Sequence, residues 1–234
     1  PDSDLRRAAK TIVSSAFGCA GERCMAASVA VVLESVADQL VQYLIEESDA
    51  LKMGNGLDAG VELGPLIRQS HRERVHSYIE RGVAEGAALV RDGRRDAQAL
   101  PNGYFLGPTV LDQATPEMVI VRDEIFAPVL SVVRVKDFAE GLEVISKSRY
   151  GNGACIYTNS GRLAREFVQR VEAGMVGVNV GVPAPMGFFP FSGWKQSFYG
   201  DLHANGKDGI AFYTKKKTVT TRWFDDGEIA IGSQ

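Results

Sequence analysis

Cysteine and histidine are scarce here, with three of each among 234 residues. Cys19, Cys24 and Cys155 form no CxxC pair, which removes a structural zinc site, and so sparse and odd a count gives no disulfide framework. Unpaired thiols suit a reducing compartment instead. His71 and His76 stand five apart in a segment of helical pattern. That spacing is poor for a shared metal, so both are expected at the surface and no bound metal is expected. A clustered basic face is also missing. The net charge is −3, and the one basic run, Lys215-Lys216-Lys217, lies in a threonine- and valine-rich segment. It reads as a solvated strand face or a protected edge, and no nucleic-acid partner is expected. No apolar run approaches the ~20 residues that span a bilayer. No signal peptide is visible either, so no membrane partner is expected. The first residue is Pro1, and Asp2-Ser3-Asp4-Leu5-Arg6-Arg7 reads as mid-protein sequence, a fragment starting near a domain boundary.

What is present is ordinary for a globular protein: 45% apolar and 24% charged residues. The length allows one large domain, or one domain with an extension. Strand-like and helix-like segments alternate. Residues 28–33, 87–90, 107–111, 128–135, 154–158 and 175–180 read as strands. Between them, Val36, Leu40 and Leu44, then Val75, Ile79 and Val83, then Phe138, Leu142 and Ile145, then Leu163, Phe167 and Val171 recur at helical spacing. This alternation predicts an α/β domain with a mostly parallel sheet and flanking helices. Proline, glycine and aromatic residues crowd residues 183–200. Residues 212–223 alternate like one long strand without a sequence-adjacent partner, so that strand must pair with other sequence or another subunit.

The run Phe17-Gly18-Cys19-Ala20-Gly21-Glu22-Arg23-Cys24-Met25-Ala26 is crowded with small residues. Glycines on a turn let the backbone bend tightly and a ligand come close. A cysteine held there exposes its sulfur and leaves its N–H free for an oxyanion, which suits a thiolate nucleophile. Inert burial is the competing reading of a free cysteine. Cys19 reads as a small buried residue or a resolving thiol, and Cys155, Trp194 and Trp223 as packing. A cysteine hydrolase would pair Cys24 with His71, His76 or His203, for which no local motif is present.

Four segments in order resemble the aldehyde dehydrogenase family: Gly21-Glu22-Arg23-Cys24; Glu124-Ile125-Phe126-Ala127-Pro128-Val129; Tyr150-Gly151-Asn152-Gly153; and Pro190-Phe191-Ser192-Gly193-Trp194-Lys195. The terminal segment from Tyr213 to Val219 also matches. Arg23 before the nucleophile, Gly177-Val178-Asn179-Val180 and Ser197-Phe198-Tyr199-Gly200-Asp201 resemble the coenzyme A-acylating, methylmalonate-semialdehyde branch of that family. Ala127 and Ser192 depart from it, each standing where the wider family has glycine.

The resemblance implies a nucleophile-bearing catalytic α/β domain over residues 1–191 and a C-terminal segment with an oligomerisation strand over residues 192–234. The family's N-terminal NAD-binding domain would be absent from the chain. It implies that Cys24 attacks an aldehyde and forms a thioester, with NAD as cofactor and coenzyme A as co-substrate. Arg23 would face a substrate carboxylate, or else form a surface pair with Glu22 or a helix terminus. Glu124 would accept hydrogen bonds from the nicotinamide ribose, or else pair with Arg122. Phe126 would lie beside the nicotinamide ring, or else in the core; Phe188, Phe189 and Phe191 stand where the family lines its substrate tunnel, with plain core the favoured reading. The implied partners are a small semialdehyde and further copies of the chain, in a homodimer or homotetramer. The implied location is the bacterial cytoplasm or the mitochondrial matrix. The resemblance leaves open a hydrolytic dehydrogenase, which gives a free acid, and a catalytically incompetent fragment that acts only in assembly.

Overall fold

The computed structural model describes residues 1–100 and 102–223. Its centre is a four-stranded sheet of β1 (Val29–Leu33), β2 (Ala88–Arg91), β3 (Thr109–Asp112) and β4 (Val129–Val135), in the order β1-β4-β3-β2. β4 pairs parallel with both β1 and β3, while β2 runs antiparallel to β3. The two parallel pairings carry the predicted sheet. Val129-Leu130-Ser131-Val132-Val133 is buried throughout, as expected of a β-branched strand with both faces covered.

Helices α1 (Leu5–Phe17), α2 (Glu34–Asp49) and α3 (Gln69–Ala84) pack around this sheet. Ala9, Ile12, Val13, Ala16 and Phe17 place the buried stripe of α1 in the main core, beside Leu40, Val41 and Leu44 of α2. α3 lies so close to the sheet that a Cβ on Gly82 would meet Ile120 Cγ2 at 2.7 Å and Leu111 Cδ2 at 3.2 Å. A short helix α4 (Val119–Arg122) leads towards β4, and α5 (Phe138–Lys147) follows it. Asp4 and Asp137 cap α1 and α5 by accepting the backbone N–H of Arg7 and Glu140, each contact contributing about 1 kcal/mol.

A smaller layer follows. β5 (Tyr150–Gly151) pairs antiparallel with β8 (Trp194–Lys195), and β6 (Gly153–Ile156) pairs parallel with β7 (Met175–Val178). Leu142, Phe167, Val171 and Ala173 form a second core between α5, α6 (Gly161–Arg170) and these strands. Residues 212–223 differ from their predicted strand. Phe212 and Tyr213 end a helix, α7 (Gly206–Tyr213), and residues 214–223 run on without regular secondary structure. A strand needs a partner for its backbone, and the described residues supply none. Residues 224–234 of the expected C-terminal segment lie outside the described residues.

One charge cluster fixes the sheet to α2. Arg134 on β4 donates through Nη2 and Nε to both carboxylate oxygens of Asp112 on β3, at 2.6 and 3.1 Å, and also meets Asp38 at 2.8 Å. Asp112 is almost fully buried, and its carboxylate holds the Arg134 guanidinium more firmly protonated than usual. Arg134→Met leaves that buried charge unpaired. It is expected to lower stability by about 3 kcal/mol, the lower end for a broken buried pair because Arg134 keeps some solvent contact. The check is a fall in the urea midpoint with unchanged slope.

Candidate active site

The candidate nucleophile stands on a strained turn at the end of α1. Cys19, Ala20 and Gly21 have φ of 55°, 55° and 67°. Two non-glycine residues in the left-handed region persist only where their surroundings hold them. Arg23 supplies one such hold. Its Nη2 donates to the Ser14 and Ser15 carbonyls, at 2.9 Å each, at the C-terminus of α1. There a cation meets carbonyls at the negative end of the helix, Ser14 O also accepting the Gly18 N–H. Gly18 makes room, since a Cβ there would sit 3.0 Å from that Nη2. The Arg23 guanidinium therefore occupies the helix-terminus position that the sequence left as the alternative. Its Nε is buried without a partner.

Cys24 follows in a turn closed by the Ala26 N–H donating to Arg23 O at 3.0 Å. Its side chain is exposed, which removes the inert-burial reading. Asn152 Nδ2 donates to the Cys24 carbonyl at 2.7 Å and lies 3.2 Å from Met25 Sδ, so the Cys24 peptide is held from its oxygen side. Among the described residues the Cys24 N–H has no acceptor. No histidine bonds to the Cys24 thiol among them either, so nothing favours a cysteine–histidine hydrolase. His203 instead contacts Gly193 O and Asp208.

The second motif packs directly on this turn. A Cβ on Gly21 would overlap the Ala127 carbonyl, so only glycine lets the two loops meet. The left-handed residue of the second loop is Phe126, with φ 59°, and Ala127 is buried with ordinary backbone. Alanine in place of the family's glycine is thus accommodated. Phe126 is 38% exposed and is not core. Glu124 is exposed with no hydrogen bond or ion pair among the described residues, and Arg122 turns to Asp123 at 3.2 Å instead. His71 corrects the surface expectation. It is only 8% exposed, and its Nε2 donates to Phe126 O at 2.8 Å. The sequence hid this role because the partner is a backbone carbonyl 55 positions away.

The third and fourth motifs join through the β5–β8 ladder. The Gly151 N–H donates to Ser197 Oγ at 3.1 Å, and Lys195 Nζ bridges Ser146 O, Ser148 O and Glu172. Asn152 then connects this layer to Cys24, a role that the motif contained but residue type alone did not reveal. Phe188, Phe189, Trp194 and Trp223 are exposed, against the expectation of core or packing. Cys19 is exposed too, because its left-handed turn carries it out of the core. Two concavities, of about 560 Å3 beside α5 and about 340 Å3 at the start of α1, lie away from Cys24, which stands on an open face.

The three thiols differ in exposure, Cys19 and Cys24 being exposed and Cys155 partly buried. Burial pushes Cys155 up to about 11 from the usual 9.0. Iodoacetamide at pH 8 is expected to label Cys19 and Cys24 and spare Cys155, read by peptide mass mapping. Burial favours the neutral thiol, so the stabilisation is complete below about pH 9 and is lost as pH rises through about 11. Cys155→Ala should remove that part of the alkaline destabilisation.

No helix among the described residues is long and apolar enough to cross a membrane. A family model described as the aldehyde dehydrogenase family matches residues 1–219. Malonate-semialdehyde dehydrogenase 2 of Bacillus thuringiensis is 61% identical over 222 residues, covering 95% of this chain and 46% of the relative. The methylmalonate-semialdehyde dehydrogenase of Oceanimonas doudoroffii superposes with a TM-score of 0.94 at 44% identity, over 97% of this chain and 47% of that one. A Sinorhizobium meliloti protein, provisionally assigned the same activity and solved with NAD, gives 0.93 at 44% identity, over 96% and 46%. The chain thus spans about half the length of the curated relatives it matches. With the four motifs linked by direct contacts and the match running from residue 1 to 219, the chain belongs to the aldehyde dehydrogenase family.

Proposed function

We propose that this chain carries the nucleophile of an NAD-dependent, coenzyme A-acylating semialdehyde dehydrogenase. It would convert methylmalonate or malonate semialdehyde to propionyl-CoA or acetyl-CoA with loss of CO2. The observation that carries the proposal is the exposed Cys24 thiol, on a turn with a free N–H and a clamped carbonyl, packed against the loop of Glu124 and Phe126. The Cys24 thiolate attacks the aldehyde carbon, and its own N–H donates to the oxyanion that forms. Glu124 and Phe126 would hold NAD, which would supply the hydride acceptor for this carbon. The carbon then remains on Cys24 as a thioester. The bond to the carboxylate breaks and releases CO2, its electron pair stays on the α-carbon as the thioester enolate, and a proton from water adds there; the coenzyme A thiolate then displaces the Cys24 thiolate from the acyl carbon.

Glu124 and Phe126 fit the cofactor. A partner-free exposed carboxylate can accept from two ribose hydroxyls, and a half-exposed ring offers a flat apolar contact. Arg23 would turn its remaining Nη1 to the substrate carboxylate. Residues 1–191 form the catalytic unit in this reading. Residues 192–234 serve assembly, because exposed Tyr199, Tyr213, Val219 and Trp223 give a homodimer or homotetramer an apolar surface to cover.

The test is a chimera that joins this chain to the portion of the Bacillus relative it does not span. Steady NADH formation from the semialdehydes should require coenzyme A, with a single stoichiometric burst in its absence. Steady turnover without coenzyme A would favour the hydrolytic reading, and no NADH under either condition would remove the dehydrogenase reading.

A further inference from the structure

We infer that His71 is the positioning residue that sets the distance between the nucleophile turn and the Glu124–Phe126 loop, an inference that rests on the proposed function. His71 sits on the first turns of α3 and is reached from both loops. On one side Phe126 O accepts from Nε2 at 2.8 Å. On the other, Glu22 Oε1 lies 3.4 Å from the same nitrogen and accepts the Ile67 N–H at 3.4 Å, tying the residue two before Cys24 to the entry of α3.

The tautomer follows from the partners. Arg74 Nη2 lies 3.2 Å from His71 Nδ1 and can only donate, so Nδ1 accepts and the ring proton is on Nε2, facing Phe126 O. The same Arg74 nitrogen donates to Ile125 O at 2.9 Å. One neutral imidazole therefore faces a carbonyl of the cofactor loop and a carboxylate of the nucleophile loop, and a guanidinium sets its orientation. It holds Phe126 in a left-handed conformation that an aromatic residue rarely keeps unaided. Nothing else among the described residues donates to Phe126 O. His71 touches no reacting atom; it acts through the two loops.

The test compares His71→Leu, which loses all three polar contacts, with His71→Gln, whose amide keeps a donor and an acceptor. In the chimera, His71→Leu should raise the KM for NAD about tenfold with a smaller change in kcat, as loop misplacement without loss of the nucleophile does. His71→Gln should restore most of that loss. In the 234-residue chain alone, amide exchange of residues 20–26 and 124–128 should quicken together in His71→Leu and recover in His71→Gln. An unchanged KM, a glutamine no better than leucine, or exchange that quickens only within α3 would overturn the inference. A wild-type chimera without turnover would defeat the proposed function, while the exchange comparison would still decide the role of His71.

Discussion

Alanine at position 21 is expected to combine backbone strain with a backbone collision. Gly21 has φ 67°, where an L-residue costs about 1–2 kcal/mol. The added Cβ would also strike the Ala127 carbonyl and approach Pro128 N at 2.8 Å. These are backbone atoms, so no rotamer relieves the clash, and overpacking of this kind adds about 1–3 kcal/mol. A loss of about 2–5 kcal/mol follows, together with separation of the two loops that carry Cys24 and Phe126. Gly60→Ala is the internal control. Gly60 has φ 76°, but its Cβ would meet nothing within 4 Å. It should show only the backbone part, about 1–2 kcal/mol. Urea denaturation of both variants separates strain from collision, and equal losses would mean that the loop contact contributes nothing.

Cys24→Ser is expected to leave stability within about 0.5 kcal/mol, because the side chain is exposed. In the chimera it should lower NADH formation by about a thousandfold or more, the scale of losing an enzymic nucleophile. A hydroxyl is far less ionised than a thiol near neutral pH, and its ester is a poorer acyl donor to coenzyme A. Cys19→Ser tests whether any thiol on this turn would serve. It should retain activity within about twofold of the unchanged protein, since Cys24 alone has its peptide clamped by Asn152.

The core strands and four helices, α2, α3, α5 and α6, are legible from their apolar periods. Val129 to Val135, a β-branched run, forms the buried strand its pattern predicts. α1 carries a comparable signature, with Asp4 as cap and Ile12, Val13, Ala16 and Phe17 on one stripe. His71 and Asn152 were not legible as site residues. Their partners are backbone carbonyls far along the chain, and side-chain type carries no record of such a partner. Cys19 was misplaced for a related reason. Burial depends on a left-handed turn that two non-glycine residues adopt, contrary to their local preference. The exposed aromatics at residues 188, 189, 194 and 223 follow hydrophobicity without a covering surface among the described residues. The expected strand at 212–223 likewise lacks a partner among them.

The account turns on one covalent bond, and it can be caught directly. The chimera is mixed with NAD and methylmalonate or malonate semialdehyde without coenzyme A, quenched in acid and digested for mass spectrometry. The prediction is a propionyl or acetyl group on the peptide that contains Cys24, released when coenzyme A is added before the quench. NADH formed with the Cys24 peptide unmodified, or an acyl group on Cys19 or Cys155 instead, would contradict it.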